Sequence, residues 1–436
     1  LDINFFDKNI ETIGREKLNK LQLERLKSTI NKSLNIPFYR KVLNNAGITN
    51  GNDIKSLDDL KEIPFTTKDD LRSSYPKGFL AVKQEDVVRL HTSSGTTGTP
   101  TVIYHTRKDL ANWSSLVARC MTAAGATSSD VFQNMTGYGL FTGGLGMHYG
   151  AELVGMTVIP SGSGNTIRQI SLMKDFKTTI IHATPSYLLH IYDKIIECNE
   201  SLSDFSLKKA FIGAEPYSES TRQKMEKLLN IKIYNSYGLS EMNGPGVSFE
   251  CVYQNGMHTW EDDFILEIID PKTLKPVEDG MEGEIVFTTL SREATPLLRY
   301  RTRDLAYVYP GICECGRTHR RISRITGRTD DMLIVNGANV FPSQIESIIM
   351  KIPEVGNNYQ IYLTKKGALD QLIVKVEIYS KLFKGDMSEL DKLENKIKEE
   401  IRANILVNPC IELHEPGSLP VTQGKAVRVI DDRIKL

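Results

Sequence analysis

Apolar and polar positions change rhythm along the chain, and each rhythm predicts a different kind of element. In residues 10–35, Ile10, Ile13, Leu18, Leu21, Leu26 and Ile30 recur among charged residues at roughly helical spacing, which predicts an amphipathic helical segment. From about 85 to 240, short apolar runs closed by Gly, Ser, Thr or Pro alternate with longer helical stretches. The runs lie at 87–92, 131–135, 156–160, 178–183, 209–213 and 232–236. That alternation predicts strands and helices in a largely parallel sheet. Residues 264–310 then shorten into FILEIID, GEIVFTTL and LAYVYP, divided by Asp270-Pro271 and Asp279-Gly280. Such spacing predicts a small antiparallel β subdomain over about 260–325. After GRTDD at 327–331, a strand (MLIVNG), a helix (SQIESIIMKI), two strands (YQIYLTK, LIVKVEIY) and a charged helix over 388–402 predict a compact α+β domain. The expected fold is α/β: an N-terminal domain over 1–329, and a mobile C-terminal domain over 330–436.

Length agrees with two packed units, because 436 residues exceed the roughly 250 to 300 at which one hydrophobic core stops growing. Lys plus Arg equals Asp plus Glu at 54 each, which argues against nucleic acid or an anionic membrane surface as a dominant partner. No apolar run approaches the roughly 20 residues that span a bilayer, so a soluble, cytoplasmic protein is expected. A homodimer is left open.

In parallel sheets ligands bind where loops leave the carboxyl ends of strands. The strongest motif is such a loop, Ser93-Ser94-Gly95-Thr96-Thr97-Gly98-Thr99-Pro100. Its hydroxyls and backbone N–H groups can converge on phosphate oxygens, and its glycines permit close approach. A flexible surface loop is the alternative. Because it is not GxxxxGK[ST], ordinary phosphoryl transfer is disfavoured. The segment Tyr138-Gly139-Leu140-Phe141-Thr142-Gly143-Gly144 combines aromatics with glycines that leave room, which suits a flat apolar ligand. Ile212, Ala214 and Pro245 would seal that pocket.

Three later segments, YGLSE (237–241), YRTRD (300–304) and PVTQGK (420–425), follow in the order and separation seen in the acyl-adenylate-forming superfamily. With GRTDDMLIVNGANVFPSQIE, GYGLFTGGLGMHYGAE, GAEPYSE and CGRTHRRISRITGR, the whole chain most resembles phenylacetate–CoA ligases. The resemblance implies ATP-dependent activation of an aryl or arylacetic acid as its acyl-adenylate, then transfer to coenzyme A. A stand-alone adenylating enzyme serving an amine or a carrier protein is the alternative. It also implies that Ser93 to Gly98, Gly213, Ala214, Glu215, Pro216, Tyr237, Gly238, Ser240, Asp304 and Arg328 bind the nucleotide. Glu241 would hold Mg²⁺, Lys425 would stabilise charge during adenylation, and Asp330 would be the hinge of the C-terminal domain. Thr101 stands where the superfamily often carries Lys, a departure that phenylacetate–CoA ligases share. Cys251, His258, Cys313 and Cys315 could form a closed structural Zn²⁺ site, with His319 as an alternative nitrogen donor; ordinary thiols are the other reading.

Overall fold

A computed structural model describes residues 3–93, 99–140, 142–336, 338–366, 369–379, 387–405, 407–420 and 426–433. The amphipathic opening segment forms a helical turn at Lys8–Glu11 and then α1 (Arg15–Ser33), whose Leu18, Gln22, Leu26 and Ile30 turn inward. The run at 87–92 departs from expectation. It yields β1 (Arg89–Thr92), which pairs antiparallel with β2 (Val102–His105) in a separate two-stranded sheet. Alternation alone cannot distinguish a hairpin strand from one in a larger sheet, because pairing partners are set non-locally.

The next helix, α2 (Arg107–Ala123), begins at a reciprocal cap in which the Asp109 N–H donates to Thr106 Oγ1 and the Thr106 N–H donates to Asp109 Oδ2. Five strands follow: β3 (Val131–Asn134), β4 (Thr157–Ile159), β5 (Ile180–Ala183), β6 (Lys209–Gly213) and β7 (Lys232–Leu239). Between them lie α3 (Thr142–Val154), α4 (Pro185–Glu197) and α5 (Glu219–Leu229). These strands run parallel in the order β4-β3-β5-β6-β7. Beyond β7 the sheet turns antiparallel through β8 (Gly244–Glu250) and β9 (Met257–Thr259), so the central sheet is mixed.

The predicted antiparallel subdomain forms around β10 (Phe264–Ile269), β11 (Gly283–Thr289) and β12 (Tyr300–Ala306). Two short strands from the same stretch, β13 (Val308–Tyr309) and β14 (Arg321–Ile322), return to extend the central sheet next to β9. The short strand β15 (Gly327–Arg328) joins β12. A separate hydrophobic cluster is then built from β16 (Leu333–Val335), β17 (Ala338–Val340), α6 (Pro342–Ile349), β18 (Val355–Lys366), β19 (Leu369–Ile378), α7 (Met387–Ile405) and β20 (Cys410–His414). Its four-stranded sheet is completed by β21 (Val429–Asp431), in the order β20-β19-β18-β21. Among the described residues, no helix is long and apolar enough to cross a membrane.

Candidate active site

The carboxyl end of β7 leads into a tight turn that buries Glu241 at 4% exposure. Burial of a carboxylate is costly unless it is paired, and Glu241 is surrounded by donors. Thr101 Oγ1 lies 3.1 Å from Glu241 Oε1, and Lys68 Nζ lies 3.7 Å from the same oxygen. Buried Arg292 donates to the Glu241 backbone carbonyl, and burial pushes its guanidinium down to about 10. Thr101 is itself fully buried, and its hydroxyl lies 2.8 Å from Ser93 Oγ. The base of the hydroxyl-rich loop is therefore linked directly to Glu241. A buried carboxylate beside a hydroxyl offers hard oxygen donors of the kind that could hold Mg²⁺. Lys68 and Arg292 were not legible as site residues, because no local pattern connects them with the YGLSE turn.

A second buried carboxylate lies close by. Asp304 accepts from Tyr237 Oη at 2.7 Å through Oδ2 and from Arg328 Nη1 at 3.1 Å through Oδ1. Burial pushes it up to about 6, although Arg328 and Tyr237 pull the other way. Tyr300 is adjacent to both clusters: burial, then Glu241 and Asp304, raise its phenol well above the usual value. Arg328 also holds Asp330 through paired bonds of 2.9 Å, so the expected hinge residue is tied to the expected ribose contact. Tyr237 is only 8% exposed, with its hydroxyl committed to Asp304.

The glycines here serve close strand approach. A Cβ on Gly238 would meet Gly244 O at 1.9 Å, and one on Gly213 would meet Ser236 O at 2.2 Å. Next to Gly213, Ala214 is exposed with φ of 67°, and Pro216 is also exposed. Ser240 Oγ lies 3.5 Å from Thr142 Oγ1. Ser94 to Gly98, Phe141 and Lys425 lie outside the described residues.

The aromatic and glycine-rich segment divides in two. Tyr138 is half-buried; its hydroxyl accepts from Asn134 Nδ2 at 3.0 Å and lies 3.2 Å from His148 Nδ1. Gly139 has open space around it, whereas a Cβ on Gly144 would meet Gly137 O at 2.4 Å and one on Gly146 would meet Trp113 at 2.4 Å. Those later glycines pack α3 rather than enlarge a cavity, and Gly143 is buried among them. Pro245 is half-buried, and its carbonyl accepts from Trp113 Nε1 at 2.7 Å. Ile212 is fully buried in the apolar cluster under α4 and α5, so none of its surface faces an open pocket.

Comparison with known proteins accounts for this arrangement. The AMP-binding enzyme family matches residues 34–291, and the AMP-binding enzyme C-terminal domain matches 337–433. A phenylacetate-coenzyme A ligase of Thermus thermophilus is 44% identical, over 98% of this chain and 99% of its own. One from Escherichia coli is 43% identical, over 97% of each. The chain belongs to the phenylacetate–CoA ligase family of AMP-binding enzymes. It is an AMP-forming acid–CoA ligase, working through an acyl-adenylate and then a thioester.

The ligase also matches solved structures of 2-hydroxyisobutyryl-CoA ligase. In that enzyme's postadenylation state with 2-HIB-AMP, the TM-score is 0.92 at 27% identity, covering 99% of this chain and 95% of the other. In its thioesterification state with 2-HIB-AMP and CoA, the TM-score is 0.72 at 28% identity, over 100% and 95%. The ligase's overall arrangement is thus nearer to the first state.

Away from the nucleotide turn, β8, β9 and the loop before β14 bring Cys251, His258, Cys313 and Cys315 together. All four are buried, and their ligand atoms lie within 4.8 Å of one another. Cys251 Sγ is 3.7 Å from Cys313 Sγ, and Cys315 Sγ is 3.3 Å from His258 Nε2. With a zinc–sulfur distance of about 2.3 Å, a tetrahedron has a sulfur–sulfur edge of about 3.8 Å, so the donor set fits structural Zn²⁺. Hydrogen bonding from Cys251 and Cys313 holds the Cys315 thiol far below its usual value. His319 is engaged elsewhere: Nδ1 accepts from the Glu261 N–H at 2.9 Å, and Nε2 lies 2.9 Å from Ile10 O. The same loop grips the opening segment, for Arg317 Nε donates to Glu11 Oε2 at 2.7 Å with both side chains fully buried. The Thr318 N–H donates to Glu11 O at 3.1 Å.

Proposed function

We propose that the ligase's acid is phenylacetate or another aryl or arylacetic acid. What supports the acid is the name shared by relatives 43 to 45% identical over nearly the whole chain, together with the Tyr138 wall beside open Gly139. The observation that carries the catalytic reading is the adjacency of two buried carboxylates, Glu241 and Asp304, across Tyr300.

In this reading Asp304 accepts hydrogen bonds from the ribose hydroxyls, since an ionised carboxylate has acceptors and no donors. Arg328 holds Asp304 in place, and Tyr237 with residues 213–216 frames the base. Glu241 holds Mg²⁺, which when bound offsets repulsion between the incoming carboxylate and the phosphates. Ser93, Thr101 and the hydroxyl loop orient the phosphate chain, and Lys68 adds a cation on that side. Lys425 stabilises charge on the α-phosphate and leaving pyrophosphate as the acid's oxygen attacks. No side-chain nucleophile is needed, so positioning supplies the rate. Residues 330–436 then turn about Asp330 to admit the thiol of coenzyme A. Cys251, His258, Cys313 and Cys315 hold a structural Zn²⁺.

Exchange of labelled pyrophosphate into ATP, run over a panel of carboxylic acids, tests the reading. The strongest exchange is expected with an aryl or arylacetic acid, followed by coenzyme A-dependent release of AMP. Exchange confined to aliphatic acids would overturn the choice of acid.

A further inference from the structure

The contacts between the nucleotide-binding part and the 333–433 part are built on carboxylates in a reciprocal pattern. Glu346 lies on α6, in the later part, and is 4% exposed. Its Oε1 reaches across to the start of α5, accepting from the Ser218 N–H at 3.1 Å and from Thr221 Oγ1 at 2.6 Å. Glu215 reaches the other way. Its carboxylate accepts from the Ser186 N–H at 3.1 Å and Ser186 Oγ at 2.9 Å at the start of α4, and from the Ala426 N–H at 2.7 Å. Each carboxylate therefore sits at the N-terminus of a helix in the nucleotide-binding part, where exposed N–H groups and the helix dipole favour negative charge. Ala426 directly follows Lys425 in the chain.

We propose that Glu346 and Glu215 are positioning residues for adenylation, joining the two parts so that the backbone beside Lys425 is fixed against the nucleotide-binding part. The inference rests on the role assigned to Lys425 above. Hydrogen bonds to a charged group are stronger than those between neutral groups, and here they exist only while the two parts are docked in this way. Turning of the 333–433 part must break both: Glu346 leaves the start of α5, and Ala426 leaves Glu215. Breaking them costs nothing permanent, because both helix starts and both carboxylates can be solvated once apart. The pair therefore favours the first half-reaction over the second. Other contacts across the same boundary, Lys224 Nζ to Val355 O at 2.9 Å and Asn357 Nδ2 to Asp193 Oδ1 at 2.8 Å, supply area without touching the segment next to Lys425.

Glu346 carries the test, since it has no assigned contact with the nucleotide, although it lines the same cavity as Glu215 and Pro216. In Glu346→Ala, acid-dependent pyrophosphate exchange should fall about tenfold, the effect of losing one charged interaction. Thioester formation from presynthesised acyl-adenylate should change less than about twofold, within the scatter of mutations outside a step's own contacts. Glu346→Gln, which keeps an acceptor oxygen, should retain most of the exchange. Thr221→Val removes one donor without truncating the carboxylate and serves if the alanine variant does not fold. Equal loss in both half-reactions, or a glutamine variant as poor as alanine, would overturn the proposal. Amide hydrogen exchange over 218–221 gives a reading that needs no acid: it should quicken in Glu346→Ala, and unchanged protection would also overturn the proposal. If Lys425→Ala keeps wild-type exchange, the role assigned to Lys425 falls instead, leaving the amide measurement to judge the contact.

Discussion

At the scale of single residues, the most informative side chain is Asp304. It is buried and hydrogen-bonded by Tyr237 and Arg328, yet burial leaves it at about 6 rather than the usual value near 3.9. Because its folded value lies above its unfolded one, the ionised form opposes folding at neutral pH, and this group's contribution to stability improves as pH falls from about 6 toward 4. Nucleotide binding should show the reverse trend, since only the carboxylate can accept from both ribose hydroxyls. The KM for ATP is expected to rise as pH drops through about 6, and Asp304→Asn should raise it at pH 8 and flatten the profile. A pH profile of KM that is unchanged in the variant would remove Asp304 from this role. Glu241, Tyr237 and Asp304 are singled out in the amino-acid sequence through the resemblance of the YGLSE and YRTRD segments to those of the superfamily, and the structure places Glu241 and Asp304 as buried carboxylates. Lys68 and Arg292 are not singled out, because their meaning arises only when separate elements bring them to Glu241.

At the scale of elements, apolar runs closed by small residues located the five parallel strands, because each is bounded by a turn and all but the edge strand β4 are largely buried on both faces. The same rule misassigned 87–92, whose partner is the next strand in sequence. It also missed the return of β13 and β14 to the central sheet, a pairing that only folding decides. That return is what carries Cys313 and Cys315 to Cys251 and His258. If zinc occupies this set, the purified ligase should contain about one equivalent of metal, as a closed four-ligand site requires. Cys315→Ser should lose most of it and lower the thermal midpoint, because zinc affinity and folding are linked. Full-length protein with no bound zinc and an unchanged midpoint in the variant would assign these cysteines to ordinary packing.

At the scale of the whole molecule, the separate clustering of residues 333–413 follows from a change in sequence rhythm near 330. How that part sits was not legible, because orientation depends on a few contacts such as those of Glu346. If the part serves the two half-reactions in different orientations, Lys425→Ala should cut pyrophosphate exchange by roughly 10²- to 10³-fold, the usual effect of losing one preorganised charge. The variant should still convert presynthesised acyl-adenylate to thioester; comparable loss in both steps would refute a role confined to adenylation. The grip of Arg317 on Glu11 joins positions 306 apart in sequence. On a ribosome adding about 5 to 20 residues per second, that separation amounts to roughly 15 to 60 s of synthesis. The helical segment at 8–33 therefore emerges well before it finishes docking, with Glu11 waiting, hydrated and unpaired with Arg317, until Arg317 itself has been made.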